Sequence, residues 1–175
     1  VSPETAESPD RDRFILSKGH GCPALYAALR RRGFIEEAVI GGFATDGGTL
    51  EQHPTRKVKW GIECSTGSLG HGLSVGAGMA LAAKHDHKDW RVFVLLSDGE
   101  TNEGSTWEAA MFASQRRLDN LVAVIDYNKM QALGKTKEVI HLDPYAEKWE
   151  SFGWSAVQVN GHDIGELIKA FDRLP

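Results

Sequence analysis

Residues 91–128 read RVFVLLSDGETNEGSTWEAAMFASQRRLDNLVAVIDYN, and the order of the parts in this stretch decides the fold. An apolar run over 92–96 stops at Ser97-Asp98-Gly99. A helix is predicted over 105–118, and a second apolar run over 121–125 stops at Asp126-Tyr127-Asn128. Strand, crossover helix and strand in that order place the two strands parallel in one sheet. The expected fold is therefore α/β, a mostly parallel sheet with helices on both faces. Open sheets of this kind hold ligands at the carboxyl ends of their strands, where both polar clusters fall.

An Asp and an Asn side chain, a glycine backbone and a helix N-terminus suit a diphosphate carried on Mg²⁺. The hard cation takes a few protein oxygens and completes its shell from phosphate and water. Gly99 lets the backbone approach an anion, and the start of the helix adds its positive end. The same residues also read as an acidic strand end with ordinary turn residues, since charged clusters mark sites only statistically. The competing calcium and P-loop motifs fail. An EF-hand loop opening at Asp98 would need Gly at its sixth position and Glu at its twelfth, where Glu103 and Ala109 stand. Gly134-Lys135-Thr136 resembles the end of a P-loop, but Lys129 occupies the place of its first glycine. Gly19-His20-Gly21-Cys22-Pro23-Ala24 fits the dinucleotide fingerprint G-x-G-x-x-A after a strand over 14–16; with no acidic strand end about twenty residues on, the match is weak and stands as a minor alternative.

The chain has 175 residues, enough for one domain with a substantial core. Its 41% hydrophobic and 25% charged content is that of a globular protein. A net charge of −4 argues against a nucleic-acid surface. No apolar run approaches the roughly 20 residues of a membrane span, and the first residues contain no signal-peptide core. Cys22 and Cys64 lack redox or zinc spacing, which points to two thiols in a reducing cytoplasm. Residues 1–12 read as an extended lead-in and 13–175 as the domain.

Several segments together resemble the thiamine-diphosphate-binding domain of transketolases. These are Asp98-Gly99 with Asn128 thirty residues on, Ser17-Lys18-Gly19-His20-Gly21, His53-Pro54, the run STGSLGHG over 65–72, and EGSTWEA over 103–109. Ser97 stands where the family has the first Gly of Gly-Asp-Gly, and His71 where it has Gln. The resemblance implies thiamine diphosphate and Mg²⁺ as cofactors, with Asp98, Asn128 and the backbone carbonyl of Met130 as metal ligands. It implies diphosphate contacts from Gly99 and His20, with Gly67, Ser68 and Leu69 beside the cofactor rings. It gives His53 and His162 places facing a sugar-phosphate substrate, and it makes Glu103 one of the acids that link cofactor sites near a dimer interface; without the family, Glu103 is a helix-dipole acid.

The implied reaction moves a two-carbon ketol unit between sugar phosphates in carbohydrate metabolism. Cofactor activation in the family needs a Glu from a second, pyrimidine-binding domain, which has no counterpart in these residues. The expectation is therefore a subunit or fragment of a transketolase, incomplete at both ends and inactive without a pyrimidine-domain partner. The α component of a 2-oxoacid dehydrogenase, a deoxyxylulose-phosphate synthase and a non-catalytic scaffold stand as alternatives. Three elements near the end are also expected: a helix over 143–152, a strand over 156–159 and a helix over 164–174. Residues 129–141 are expected to form a plain loop, and Trp107, Ala110, Met111 and Ser114 a packed helix face.

Overall fold

The computed structural model describes residues 1–174; Pro175, the last residue of the expected domain, lies outside the described residues. Three parallel strands form the sheet: β1 (Arg13–Leu16), β2 (Val92–Ser97) and β3 (Leu121–Asp126), in the order β1-β2-β3. The register pairs Ile15 with Val94, Leu16 with Leu95 and Ser97 with Asp126, so the carboxyl ends of β2 and β3 stand level.

Successive side chains of a strand point to opposite faces, and the two apolar clusters follow that alternation. Ile15, Val92, Val94 and Leu96 meet Leu73, Ala77 and Ala80 of α3 (Gly72–His85) and Ala109, Ala110 and Ala113 of α4 (Gly104–Gln115). Leu16 and Leu95, one position over, meet Cys22, Tyr26 and Leu29 of α1 (Cys22–Arg31) on the other face. The small residues of α3 let it lie directly on the sheet. A Cβ at Gly76 would stand 2.5 Å from Val94 Cγ2, so any larger residue would push the helix off β2.

Shorter elements complete the chain. α2 (Glu37–Ile40) follows α1; β4 (Met130–Gln131) and β5 (Gly134–Lys135) form an antiparallel hairpin; and α5 (Thr136–Val139), α6 (Tyr145–Ser151) and α7 (Ile164–Phe171) come last. The expected plain loop over 129–141 is thus partly ordered. Ala132 and Leu133 make the hairpin turn, with Gly134 at φ +136 opening β5 directly after it, and Thr136 N–H donates to the Lys129 carbonyl at 3.0 Å, closing the hairpin. The strand expected over 156–159 is absent, because the segment has no ladder partner among the described residues and Val157 is 69% exposed. Met111 also departs from expectation. The narrow alanine face of α4 takes the core, which turns Met111 outward to 48% exposure, while Trp107 packs between Trp149 and Phe152. Arg11 and Glu63 form a buried ion pair below the sheet edge, where the Arg11 Nε–H also donates to the Ala6 carbonyl at 2.5 Å.

Candidate functional site

β2 runs apolar to Leu96 and then turns polar. A short 3-10 turn, Gly99–Asn102, separates it from α4. Asp98 caps this turn and is fully buried. Its Oδ1 accepts from Gly99 N–H at 2.8 Å. Its Oδ2 accepts from Lys129 N–H at 2.9 Å and from the Thr136 hydroxyl at 2.8 Å. The carboxyl at the end of β2 thereby holds the hairpin that follows β3.

Asn128 lies at the end of β3 and is exposed; its Oδ1 accepts from Met130 N–H at 2.9 Å, and its Nδ2 donates to Asp126 Oδ2 at 3.3 Å. Lys18, next to Gly19 in the loop after β1, donates to the same Asp126 oxygen at 2.5 Å. The loops after all three strands are therefore cross-linked through side chains. Gln131 lies over Gly99, where a Cβ would stand 2.9 Å from its Cγ. Glycine at 99 is what this close approach requires.

The two glycine-rich segments also meet. A Cβ on Gly19 would come within 2.8 Å of Gly67 N, and one on Gly67 within 3.1 Å of the His53 ring. The loop carrying His20, the segment carrying Gly67, Ser68 and Leu69, and the His53-Pro54 loop thus share one junction. His20, His53, Gly67 and Ser68 are exposed there, and Leu69 is half-buried. Glu103 caps α4 through its backbone, with its side chain in solvent and its Cβ beside Gly70. His162 is held locally, its N–H donating to Asn160 Oδ1 at 3.1 Å, in the exposed turn that opens α7. The structure does not bring it together with the other expected site residues.

Nothing in the sequence marks Glu100, yet it is fully buried at the centre of the turn. Its Oε1 accepts from Gly70 N–H at 2.9 Å and from the Ser17 hydroxyl, and its Oε2 accepts from Ser97 N–H at 3.3 Å. Thr136 likewise enters the sequence reading only as the end of a failed P-loop. Neither residue carries a periodic or spacing signal. Tyr145, stacked on Tyr127 and hydrogen-bonded to Thr101, closes the α6 side of the turn; burial pushes its phenol well up. Tyr127 is pushed up to about 12 by its hydrogen bond to Asp143 and by burial.

The donor set fits a hard cation. Asp98 Oδ1 and Asn128 Oδ1 each accept a single protein hydrogen bond and keep a lone pair free. Among the described residues no group of three or more His, Cys, Asp or Glu side chains is placed to hold a metal ion. A cation bound here would need amide and backbone oxygens and oxygens brought by its ligand, as Mg²⁺ with a diphosphate does. Among the described residues no helix is long and apolar enough to cross a membrane.

Residues 1–174 match the family model described as the thiamine diphosphate binding domain of transketolase. One subunit of the apulose-4-phosphate transketolase of Phocaeicola vulgatus is 47% identical over 98% of this chain and 60% of its own length. The 6-deoxy-6-sulfo-D-fructose transketolase subunit SqwG of a Clostridium species is 44% identical over 99% of this chain and 63% of its own. The chain thus spans under two thirds of the length of these relatives. The crystal structure of Campylobacter jejuni transketolase superimposes with a TM-score of 0.90 at 27% identity, over 99% of this chain and 28% of that one.

Proposed function

Because the chain belongs to the transketolase family, through its thiamine-diphosphate-binding domain, we propose that it is the diphosphate-binding part of a transketolase that moves ketol units between sugar phosphates. The observation that carries this reading is the pairing of a buried Asp98 and an exposed Asn128 at the level ends of two adjacent parallel strands, beside a glycine backbone. In this reading Asp98, Asn128 and the carbonyl of Met130 hold Mg²⁺, and Gly99 and His20 contact the diphosphate. Gly67, Ser68 and Leu69 line the ring side, and His53, seated on Gly67, presents its imidazole to the sugar. An imidazole there acts as hydrogen-bond partner or proton carrier. Glu103 and His162 are assigned to the neighbouring-subunit side and the channel edge respectively. Thiamine diphosphate, when bound, supplies the nucleophilic carbon and the electron sink for two-carbon transfer.

The names of the two subunit relatives support a divided enzyme, in which a pyrimidine-binding partner completes the site and the chain works as part of an oligomer. A cytoplasmic setting accords with its two free thiols. The test is calorimetric titration with thiamine diphosphate, with and without Mg²⁺, using wild type and Asp98→Ala, alone and with a candidate pyrimidine-domain subunit. Mg²⁺-dependent binding lost in the variant, together with ketol transfer only when both subunits are present, is the expected result. Wild type that binds no cofactor in either setting would overturn the reading.

A further inference from the structure

Glu100 is a buried carboxyl with no salt-bridge partner among the described residues. Burying an acid is costly unless its oxygens are well supplied with donors, and here three donors converge. They come from three separate stretches: Ser17 at the end of β1, Ser97 at the end of β2, and Gly70 in the glycine-rich segment before α3. Ser17 lies 83 positions away and Gly70 lies 30. Ordinary packing would satisfy the same space with an apolar side chain, so the joint itself is the feature to explain.

The surroundings leave the joint no slack. Gly70 is gripped on both sides, with its N–H on Glu100 and its carbonyl accepting from the Ser105 hydroxyl at 2.9 Å. It sits at φ +81, and a Cβ would stand 2.6 Å from Glu103 Cβ. A Cβ on Gly72 would collide with the Ser17 side chain, so Ser17 is covered by α3 from above. The segment Gly67-Ser68-Leu69 ends directly at Gly70, and the Lys18-Gly19-His20 loop starts directly after Ser17. Both reach the exposed junction where His53 lies.

We propose that Glu100 is a positioning residue. By holding Ser17 and Gly70 against the end of β2, it sets the 17–21 and 67–72 loops at a fixed distance from Asp98 before any ligand arrives. Preorganised loops spare a ligand the cost of ordering them. The inference rests on the cofactor reading for its consequence, but the positioning itself belongs to the unliganded chain.

Two variants and two readouts test it. Glu100→Gln keeps the shape but turns one acceptor into an NH₂ that faces donors. Ser17→Ala removes a single donor and leaves Glu100 its bonds from Gly70 and Ser97. Amide hydrogen exchange of the chain without ligand is the first readout. Glu100→Gln is expected to speed exchange at Gly70 and across 17–21 and 67–72 by 10-fold or more, Ser17→Ala by less, with β2 and β3 core amides unchanged. The second readout is titration with thiamine diphosphate and Mg²⁺, for which Glu100→Gln is expected to weaken binding about 10-fold or more. Turnover with the partner at saturating cofactor should stay near wild type, a split that general destabilisation would not produce. Unchanged exchange in both loops would overturn the positioning role, whatever the cofactor result. Wild type that never binds the cofactor, with loop exchange altered as expected, would overturn only the functional reading.

Discussion

Replacing Asp98 with alanine removes the acceptor of three hydrogen bonds, one within its own turn and two that join the end of β2 to the hairpin after β3. The donors are Gly99 N–H, Lys129 N–H and the Thr136 hydroxyl. A buried donor left without a partner costs about 1–3 kcal/mol. The two backbone donors are only partly buried and regain water as the hairpin loosens, which places each near the lower bound. The hydroxyl of Thr136, itself buried, has less recourse. The sum is about 3 kcal/mol, a large share of the roughly 5–15 kcal/mol that holds a domain together. Thr136→Val calibrates this figure, because it deletes one donor and its bond without stranding an acceptor that has two other partners. It should cost about 1 kcal/mol. Urea unfolding without Mg²⁺ or cofactor measures both, as a lowered midpoint at unchanged m. A loss of less than about 0.5 kcal/mol in Asp98→Ala, the range of ordinary surface substitutions, would mean that the carboxyl does not hold the hairpin. Any role of Asp98 would then lie in the proposed ligand binding alone.

Three further outcomes are expected. Gly70→Ala puts a Cβ at φ +81 and 2.6 Å from both Glu103 Cβ and Ser105 Oγ; left-handed strain of about 1 kcal/mol and overpacking of about 1–3 kcal/mol should together lower stability by about 2–4 kcal/mol in urea melts. Glu63→Ala strands the buried Arg11 guanidinium, which keeps the Ala6 and Asp12 carbonyls, and should cost about 3 kcal/mol; Glu63→Gln should recover part of that loss. All three tyrosines of the chain have raised phenol pKa values: Tyr26 is pushed to about 12 by burial, Tyr127 to about 12 by its bond to Asp143, and Tyr145 higher still by burial. Their contribution to stability is complete below the unfolded pKa of about 10 and is lost as pH rises from there through the folded values. Phenolate absorbance of the native chain should therefore stay low at pH 10.5 and rise in urea at the same pH; a native midpoint near 10 would refute the burial of Tyr26 and Tyr145 and the Tyr127–Asp143 hydrogen bond.

The sheet was legible because its signal is local. Two apolar runs bounded by polar turns, with a helix-length gap between them, leave little choice but parallel strands, and Asp98 and Asn128 follow from where those runs stop. The segment 156–159 shows the limit of that logic. Val157 and Val159 alternate as a strand should, but strand preference measures fit to a half-buried neighbour, and the described residues offer none. Met111 shows another limit: spacing identified a helical face, but the close approach of α3 and α4 favours the alanines at 109, 110 and 113 over the larger side chain. Glu100 was illegible for a third reason. An acid in a turn after a strand reads as a solvated one, and what buries it arrives from Ser17 and Gly70, far off in the chain.

Asp98 and Glu100 lie two positions apart on one turn and take different partners. Asp98 bonds to Lys129 and Thr136 on the β3 side, and Glu100 bonds to Ser17 and Gly70 on the β1 and α3 side. The turn therefore joins two halves of the site through two independent sets of bonds. Residues in one turn usually couple energetically, so unfolding free energies alone will not separate them, but local opening will. Hydrogen exchange of Asp98→Ala should rise in 129–136 and stay low at Gly70, and exchange of Glu100→Gln should show the reverse. If either variant loosened both halves equally, the turn would be acting as a single cooperative unit. The loops at the three strand ends would then owe their placement to the turn as a whole and not to the separate reach of its two acids.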